Sequence, residues 1–271
     1  MTEQTQAITS KIEFLHNELK KAQSLKPCEN TDQLFTELVK TTMDTDYHTA
    51  KKVINNPSIQ KIKKSLNKIC SEGEFEMEMH WAESILKDEN PSKALANFIY
   101  YQNYQSLIEL EYKALKLIST DQNFKTIFVG SGPLSLTSIL LSEKYNLKID
   151  NLEMNKDAAK ISNDLIKKLN LNNQINTINQ NLLNFSNLKD YDLVYVASLV
   201  GITKKDKKTI LEYLSQNMKP GSFLLIRSAH DLKTLLYPKI TLKSLKDLKV
   251  HLTLNPNNEV INSIIIAQKP H

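Results

Sequence analysis

Apolar residues recur at helical spacing through the first 119 positions of the chain. The clearest run has one apolar side chain every three or four residues, at Ile8, Ile12, Leu15 and Leu19. This spacing places the side chains on one face of an α-helix. Helix starts are predicted where residues that can cap a helix precede apolar runs, at Asn30–Asp32 and Asn90–Ser92. We therefore predict an all-helical N-terminal domain over residues 1–119.

The pattern changes near residues 121–123, beyond which short apolar runs alternate with longer amphipathic segments. Such alternation is typical of a parallel sheet with helices packed on its faces. Strands are predicted at 125–130, 148–154, 175–180, 191–197 and 222–228. Helices are predicted between them, at 134–145, 155–169 and 204–217.

The end of the chain follows a different pattern. Two apolar segments, 249–254 and 260–269, are separated by the turn residues 255–258. Strands joined by so short a turn are antiparallel, because a parallel connection needs a dozen or more residues. A parallel sheet that finishes in an antiparallel hairpin resembles the fold of S-adenosylmethionine-dependent methyltransferases. Residues 120–271 are thus predicted to form a Rossmann-like α/β domain of this type.

The composition of the chain argues against several classes of protein. The 271 residues are 41% hydrophobic and 24% charged, as in globular domains. The net charge of +5 comes largely from short lysine clusters of the kind found on solvated helix faces, so no nucleic-acid partner is predicted. No segment has the roughly 20 apolar residues that span a bilayer. The N-terminus lacks a secretory signal pattern, and two cysteines are too few for a disulfide framework. We expect a cytoplasmic protein with small-molecule partners and no membrane contact, and leave the oligomeric state open, a homodimer included.

Glycine is scarce, with five in the chain, yet two stand in the segment 130–133, where the first predicted strand turns into a helix. Glycines there permit a sharp turn and close approach of a ligand to the backbone. Pro133 suits the first helical position, and the helix N-terminus can hold the carboxylate of S-adenosylmethionine. Glu153, about twenty residues beyond the loop at the end of the second strand, is placed to accept both ribose hydroxyls.

Asn181 follows the third strand and is placed to face the adenine, while Ala197 ends the fourth strand. The predicted cofactor-binding residues are therefore Gly130, Ser131, Gly132, Pro133, Glu153, Asn181 and Ala197. A plain strand-to-helix turn with a surface glutamate is the competing interpretation, because two glycines alone form a weak motif.

Polar residues that are candidates for catalysis or substrate binding lie in two further places. Glu76, His80 and Glu83 share one face of a predicted helix. A polar helix face with a routine glutamate–histidine contact explains the same pattern. Arg227 ends the fifth strand, where open α/β sheets place ligand contacts, and its guanidinium suits a carboxylate. No dense set of metal-binding side chains occurs, so no metal is predicted.

Three long segments of the α/β part resemble the corresponding blocks of nicotianamine synthases, in the right order and at similar spacing. They read FVGSGPLSLTSILL, YDLVYVASLVG and LLIRSAHDLKTLLYP. The helical part is similar in ENTDQLFTELVK and ANFIYYQNYQSL. This resemblance covers most of residues 30–240. It implies a helical domain on a Rossmann-like domain with the reaction chamber between them. It also implies that three aminocarboxypropyl groups from three S-adenosylmethionine molecules are joined into nicotianamine, a metal chelator, with methylthioadenosine released each time.

The resemblance also implies roles for individual residues. Glu76 matches the catalytic glutamate, a carboxylate that accepts the proton of the attacking amine, and Tyr104 matches its partner tyrosine. The expected substrate-binding residues are His80, Arg227, His230 and Tyr237. Simple packing in the core or against the sheet edge is the alternative explanation for Tyr104, His230 and Tyr237.

One departure from the family pattern leaves the acceptor open. HDLK replaces HGAR, so Lys233 stands where the family has arginine, and lysine cannot hold a carboxylate in bidentate fashion. An alternative is a single-transfer enzyme related to opine-metallophore synthases, with histidine or glutamate as acceptor. A small-molecule methyltransferase is a third possibility, although the Asn/Asp-Pro-Pro-aromatic signature is absent after the fourth strand. A catalytically silent S-adenosylmethionine-binding protein is the alternative outside the enzymes.

Overall fold

The computed structural model describes residues 2–121 and 123–271. Gln122, at the predicted change of pattern, lies outside the described residues. The described N-terminal part is helical, as predicted, up to residue 118. Its helices are α1 (Glu3–Lys21), α2 (Glu29–Asp44), α3 (Tyr47–Ile54), α4 (Pro57–Lys87), α5 (Pro91–Ala96) and α6 (Tyr101–Ile118).

Cap residues explain where two of these helices begin. The side chain of Asn90 accepts a hydrogen bond from the backbone N–H of Lys93 at 3.1 Å, so the helix start predicted at Asn90–Ser92 is confirmed. Pro91 occupies the first helical position of α5. At α2 the predicted start is displaced, because Cys28 is the cap residue and Asn30–Asp32 lies within the first turn. The hydroxyl of Thr31 accepts the backbone N–H of Cys28 at 3.1 Å.

The remainder of the described chain builds a seven-stranded sheet with the order β3-β2-β1-β4-β5-β7-β6. The strands are β1 (Thr126–Val129), β2 (Ile149–Glu153), β3 (Ile175–Asn179), β4 (Leu193–Val196), β5 (Phe223–Ser228), β6 (Lys249–Leu254) and β7 (Ser263–Gln268). The first five strands pair in parallel, whereas β7 is antiparallel to both β5 and β6. The predicted Rossmann-like sheet of the methyltransferase type, with its C-terminal antiparallel hairpin, is thus confirmed.

Helices of the second part follow the strands that the sequence predicts. They are α7 (Leu136–Tyr145), α8 (Lys156–Lys168) and α9 (Lys204–Asn217), and short 3₁₀ turns occupy 182–184, 186–190, 231–235 and 242–245. The central strands β1 and β4 are buried along their whole length, as expected for a sheet covered on both faces.

Two apolar clusters join the helical part to the rest of the molecule. In the first, Leu107 and Leu115 of α6 pack with Phe128 and Tyr195 of the sheet. The second cluster unites α1, α2, α3 and α4 with the 3₁₀ turn 231–235. Burying one such side chain stabilises a fold by about 1.5–3 kcal/mol. The helices are therefore held against one face of the sheet and against the turn that follows β5. A domain division at residues 119 and 120 stays a prediction. Within the described residues, none of the helices combines the length and the apolarity needed to cross a bilayer.

Candidate active site

A cavity of about 570 Å³ lies where the parallel strands end. Its sheet side is formed by residues after β1, β2, β3 and β4, and α4 and α6 close it from the helical side. Open α/β sheets place their ligand sites at this carboxyl edge. The predicted cofactor-binding residues all line this cavity: Gly130, Ser131, Gly132, Pro133, Glu153, Asn181 and Ala197.

Backbone conformation and space require the two glycines of the loop. Gly130 and Gly132 have φ angles of 75° and 67°, in the left-handed region that side chains disfavour. A Cβ added at Gly132 would clash with Oε2 of Glu78. The backbone N–H of Gly132 donates to Oε2 of Glu153 at 3.0 Å, and Oε1 of Glu153 accepts the N–H of Asn155 at 2.8 Å. Glu153 therefore fixes the loop as well as lining the cavity.

The proposed role of Pro133 at the first helical position is wrong. Helix α7 begins only at Leu136, because Ser135 adopts a left-handed conformation with φ of 49° and interrupts the helix there. Pro133 lies in the preceding turn, and it lines the cavity from that position. Ser131 is 6% exposed, and no hydrogen-bond partner of its hydroxyl is found among the described residues.

The helical wall of the cavity is one face of α4. The residues on this face are Ser71, Glu74, Phe75 and Glu78, which follow one another at helical spacing. Glu76 and His80 do not line the cavity, in contrast to the sequence prediction, and His80 is exposed. The reason is the helix register: a step of two residues from Glu74 or Glu78 turns the side chain by about 200°.

Glu78 lies at the centre of the polar contacts in the cavity. Burial raises the pKa of its carboxyl well above the usual value, and the neighbouring Glu74 raises it further. The backbone N–H of Leu134 and the Tyr104 hydroxyl interact with the carboxylate and lower the pKa, but they do not outweigh burial. Burial and the negative charge of Glu78 raise the pKa of Tyr104, so its hydroxyl keeps its proton.

A second carboxyl–phenol pair adjoins the first. Glu74 interacts with the hydroxyl of Tyr237, and burial raises the pKa of both groups. Tyr237 thus lines the cavity, where the resemblance placed it. These two residues, with Tyr104 and Asn262, also line a smaller neighbouring cavity of about 90 Å³ that extends between α2, α4 and α6. The two cavities therefore share a polar wall.

Arg227 lines the main cavity, but its side chain is already engaged. Nε and Nη2 donate to the two carboxylate oxygens of Glu111 at 2.7 and 3.0 Å. Both side chains are buried, with 5% and 0% exposure. The predicted use of the whole guanidinium fork by an acceptor carboxylate is therefore not possible without breaking this pair.

Comparison with known proteins identifies the family. A family model described as nicotianamine synthase protein matches residues 1–271. The chain belongs to the nicotianamine synthase family. Nicotianamine synthase 2 of Arabidopsis thaliana is 33% identical over 267 residues, which are 97% of this chain and 83% of that protein. Nicotianamine synthase of Solanum lycopersicum is 34% identical with the same coverage of both. Crystal structures of MtNAS include one in complex with MTA and tNA, with a TM-score of 0.87, 19% identity and full coverage of both chains.

The residue that departs from the nicotianamine synthase pattern lies outside both cavities. Nζ of Lys233 donates to the carbonyl oxygens of Pro256 and Val260 at 3.0 and 3.1 Å, and so holds the segment before β7. His230 is also absent from both cavity walls, because its Nδ1 is hydrogen-bonded to the Ser263 hydroxyl at 2.8 Å. The expected substrate contact of His230 is therefore corrected to a structural contact with β7.

Three residues that sequence reasoning missed shape this nicotianamine synthase site: Glu74, Glu78 and Glu111. For the first two a signal existed, since Glu74, Phe75 and Glu78 share a helical face. For Glu111 no local signal existed, because its partner Arg227 is 116 positions away.

A buried lysine supports the loop that follows β4. Lys207 of α9 is 6% exposed, and its Nζ donates to the carbonyl oxygen of Ser198 at 2.7 Å. The Ser198 hydroxyl in turn accepts Nδ2 of Asn262 at 2.7 Å. Ser198 and Asn262 both line the main cavity. Lys207 thus connects α9 to the cavity wall through one buried hydrogen bond.

We expect this lysine to make stability depend on pH. Burial lowers the pKa of Lys207 from 10.5 to about 7, so the unfolded chain binds more protons between these values. The free energy of unfolding should therefore rise as pH increases from 7 towards 10.5. In Lys207→Met the rise between pH 7 and 9 should be smaller by on the order of 2 kcal/mol. Urea unfolding of both proteins at the two pH values measures this difference, and equal slopes would contradict it.

Proposed function

We propose that this protein is a nicotianamine synthase. It transfers 3-amino-3-carboxypropyl groups from S-adenosylmethionine to an amine and releases methylthioadenosine. Family membership supports this function, as do the names of its relatives and the crystal structures of MtNAS, one in complex with S-adenosylmethionine. The observation that carries the proposal is the position of Glu78, a carboxyl of raised pKa that faces Gly132 of the nucleoside loop.

The donor is proposed to lie along the carboxyl edge of the sheet. The Glu153 carboxylate accepts the ribose hydroxyls, and Asn181 with the exposed Met154 flanks the base. The donor carboxylate lies near the loop at residues 130–133, where backbone N–H groups are available. The hydroxyl of Ser131, which has no hydrogen-bond partner among the described residues, supplies one further polar contact in that loop.

The proposed chemistry is a displacement at the methylene carbon next to the sulfonium. The nitrogen of the attacking amine forms a bond to this carbon while the carbon–sulfur bond breaks. The electron pair of the broken bond leaves with sulfur, so the nucleoside product is neutral methylthioadenosine. Glu78 accepts the amine proton, for which a carboxylate of raised pKa is well suited. Tyr104 keeps its proton and orients the Glu78 carboxylate.

The acceptor is proposed to approach from the smaller cavity. Its lining contains the carboxyls of Glu74 and Asp32 together with the rings of Tyr100 and Tyr237. Acidic and aromatic side chains of this kind favour an ammonium group. Glu74 lies on the shared wall, so an amine held there is next to Glu78 on the same helix face.

No observation in the site favours the single-transfer alternative, since Lys233 lines neither cavity. We propose that the product serves as a metallophore in metal homeostasis, and that the enzyme itself uses no bound metal. A cytoplasmic location stays a prediction.

Mass spectrometry of the purified protein incubated with S-adenosylmethionine alone tests this function. We expect nicotianamine together with methylthioadenosine. A product that forms only after histidine or glutamate is added would replace the proposal by the single-transfer reaction. Release of S-adenosylhomocysteine would instead identify a methyltransferase.

A further inference from the structure

Acidic side chains outnumber basic ones on the wall of the main cavity. Four carboxylic acids line it within the described residues, namely Glu74, Glu78, Glu153 and Asp206. Arg227 is the one basic side chain on the same wall in the part of the chain that the structure describes. The ligand that is proposed to bind here carries a positive sulfonium, so a free guanidinium would oppose its binding.

The positive charge of this guanidinium is balanced by a residue that lies outside the cavity. Glu111 is fully buried, lines neither cavity and holds two nitrogens of Arg227 at 2.7 and 3.0 Å. It lies two helical turns after Tyr104 on the same face of α6. The guanidinium carbon lies 5.7 Å from the ring centroid of Tyr104 and 5.6 Å from that of Phe128. The guanidinium of Arg227 thus packs near two aromatic rings, and the carboxylate of Glu111 balances its charge.

We propose that Glu111 is a specificity-determining residue: by pairing with Arg227 it keeps the cavity selective for the cationic donor over its neutral nucleoside product. This inference rests on the proposed function. S-adenosylmethionine differs from methylthioadenosine by one positive charge at sulfur and by the aminocarboxypropyl arm, whose ammonium and carboxylate charges cancel. The selectivity lets the donor displace the spent nucleoside after each transfer. Glu111 itself touches neither ligand and acts through Arg227.

The size of the effect follows from Coulomb's law in a partly desolvated site. Unit charges several ångströms apart interact strongly enough, at an effective dielectric constant near 20, to change affinity by about tenfold or more. A neutral ligand does not experience this interaction. Loss of the Glu111 charge should therefore alter the ratio of the two dissociation constants. S-adenosylhomocysteine keeps the aminocarboxypropyl arm but has no sulfonium charge, so its affinity should change as little as that of methylthioadenosine. A general loosening of the site would instead weaken S-adenosylhomocysteine together with S-adenosylmethionine.

The test measures the dissociation constants of S-adenosylmethionine, S-adenosylhomocysteine and methylthioadenosine by titration calorimetry. All variants carry Glu78→Gln, so that the donor is not consumed. With Glu111→Gln added, we expect S-adenosylmethionine to bind at least about tenfold more weakly, with methylthioadenosine changed by no more than about twofold. Glu109→Gln is the matched control, because Glu109 is an ion-paired carboxylate on the same helix, 2.9 Å from Lys144, that lines neither cavity. It should leave the ratio unchanged.

Further variants keep the test decisive if Glu111→Gln fails to fold. The double variant Glu111→Gln with Arg227→Met removes both charges and should restore the original ratio. Arg227→Met alone should not weaken S-adenosylmethionine relative to methylthioadenosine. An equal loss for S-adenosylmethionine and S-adenosylhomocysteine in Glu111→Gln would overturn the inference, as would a selective loss of S-adenosylmethionine in Arg227→Met. Failure of the proposed function is seen separately, as absence of methylthioadenosine release by the unmodified protein.

Discussion

Glu78→Gln is expected to lower the rate of methylthioadenosine release at least about a hundredfold, which is the usual scale for loss of a general base. The amide cannot accept the amine proton, yet it has nearly the same size and still fits beside Gly132. Binding of S-adenosylmethionine should therefore persist. Chromatography of the released nucleoside gives the rate, and titration with the donor gives its dissociation constant.

Glu76→Gln is the matched control for this experiment. It makes the same chemical change two residues earlier on α4, at a side chain that does not line the cavity. We expect it to retain nearly full activity. A large loss in Glu76→Gln with full activity in Glu78→Gln would return the base to the position that the resemblance first indicated.

The contrast between Glu76 and Glu78 shows which structural features could be predicted from the sequence and which could not. The strands were predictable because short apolar runs flanked by turn residues admit few other structures, and the hairpin followed from the length of its turn. The long helix α4 was predictable as a helix, but polar residues occur on several of its faces. Which face meets the sheet depends on tertiary packing, and an error of two positions moves a side chain to the other side of the helix.

Pairs of distant residues set a second limit. Arg227 was correctly expected at the end of a strand, next to the site. Its charge, however, is balanced by Glu111 of α6, and nothing near either residue in the sequence indicates this pairing. The contacts of Lys233 were equally hidden in the sequence. Because lysine replaces the arginine of the family pattern there, an altered acceptor site was expected. Its ammonium instead holds backbone carbonyls before β7.

Glu153→Ala is expected to weaken binding of S-adenosylmethionine by about 1.5–3 kcal/mol, the range for charge-assisted hydrogen bonds. That energy corresponds to roughly ten- to more than a hundredfold in the dissociation constant. Two losses contribute, because the carboxylate is proposed to accept the ribose hydroxyls and also holds the N–H of Gly132 at 3.0 Å. Calorimetric titration with S-adenosylmethionine and with methylthioadenosine measures the effect, which should be similar for both ligands because they share the ribose.

Asp150→Ala is the matched control for this experiment. It distinguishes the loss of a ribose contact in Glu153→Ala from a general disturbance of β2. Asp150 lies on the same strand, where its carboxylate accepts the Tyr191 hydroxyl at 2.8 Å, and it does not line the cavity. Its replacement should lower stability without changing either dissociation constant. If Glu153→Ala leaves the affinity for both nucleosides intact, the ribose cannot be held by this carboxylate. A loss confined to S-adenosylmethionine would instead show that Glu153 acts through its charge on the sulfonium and does not hold the ribose.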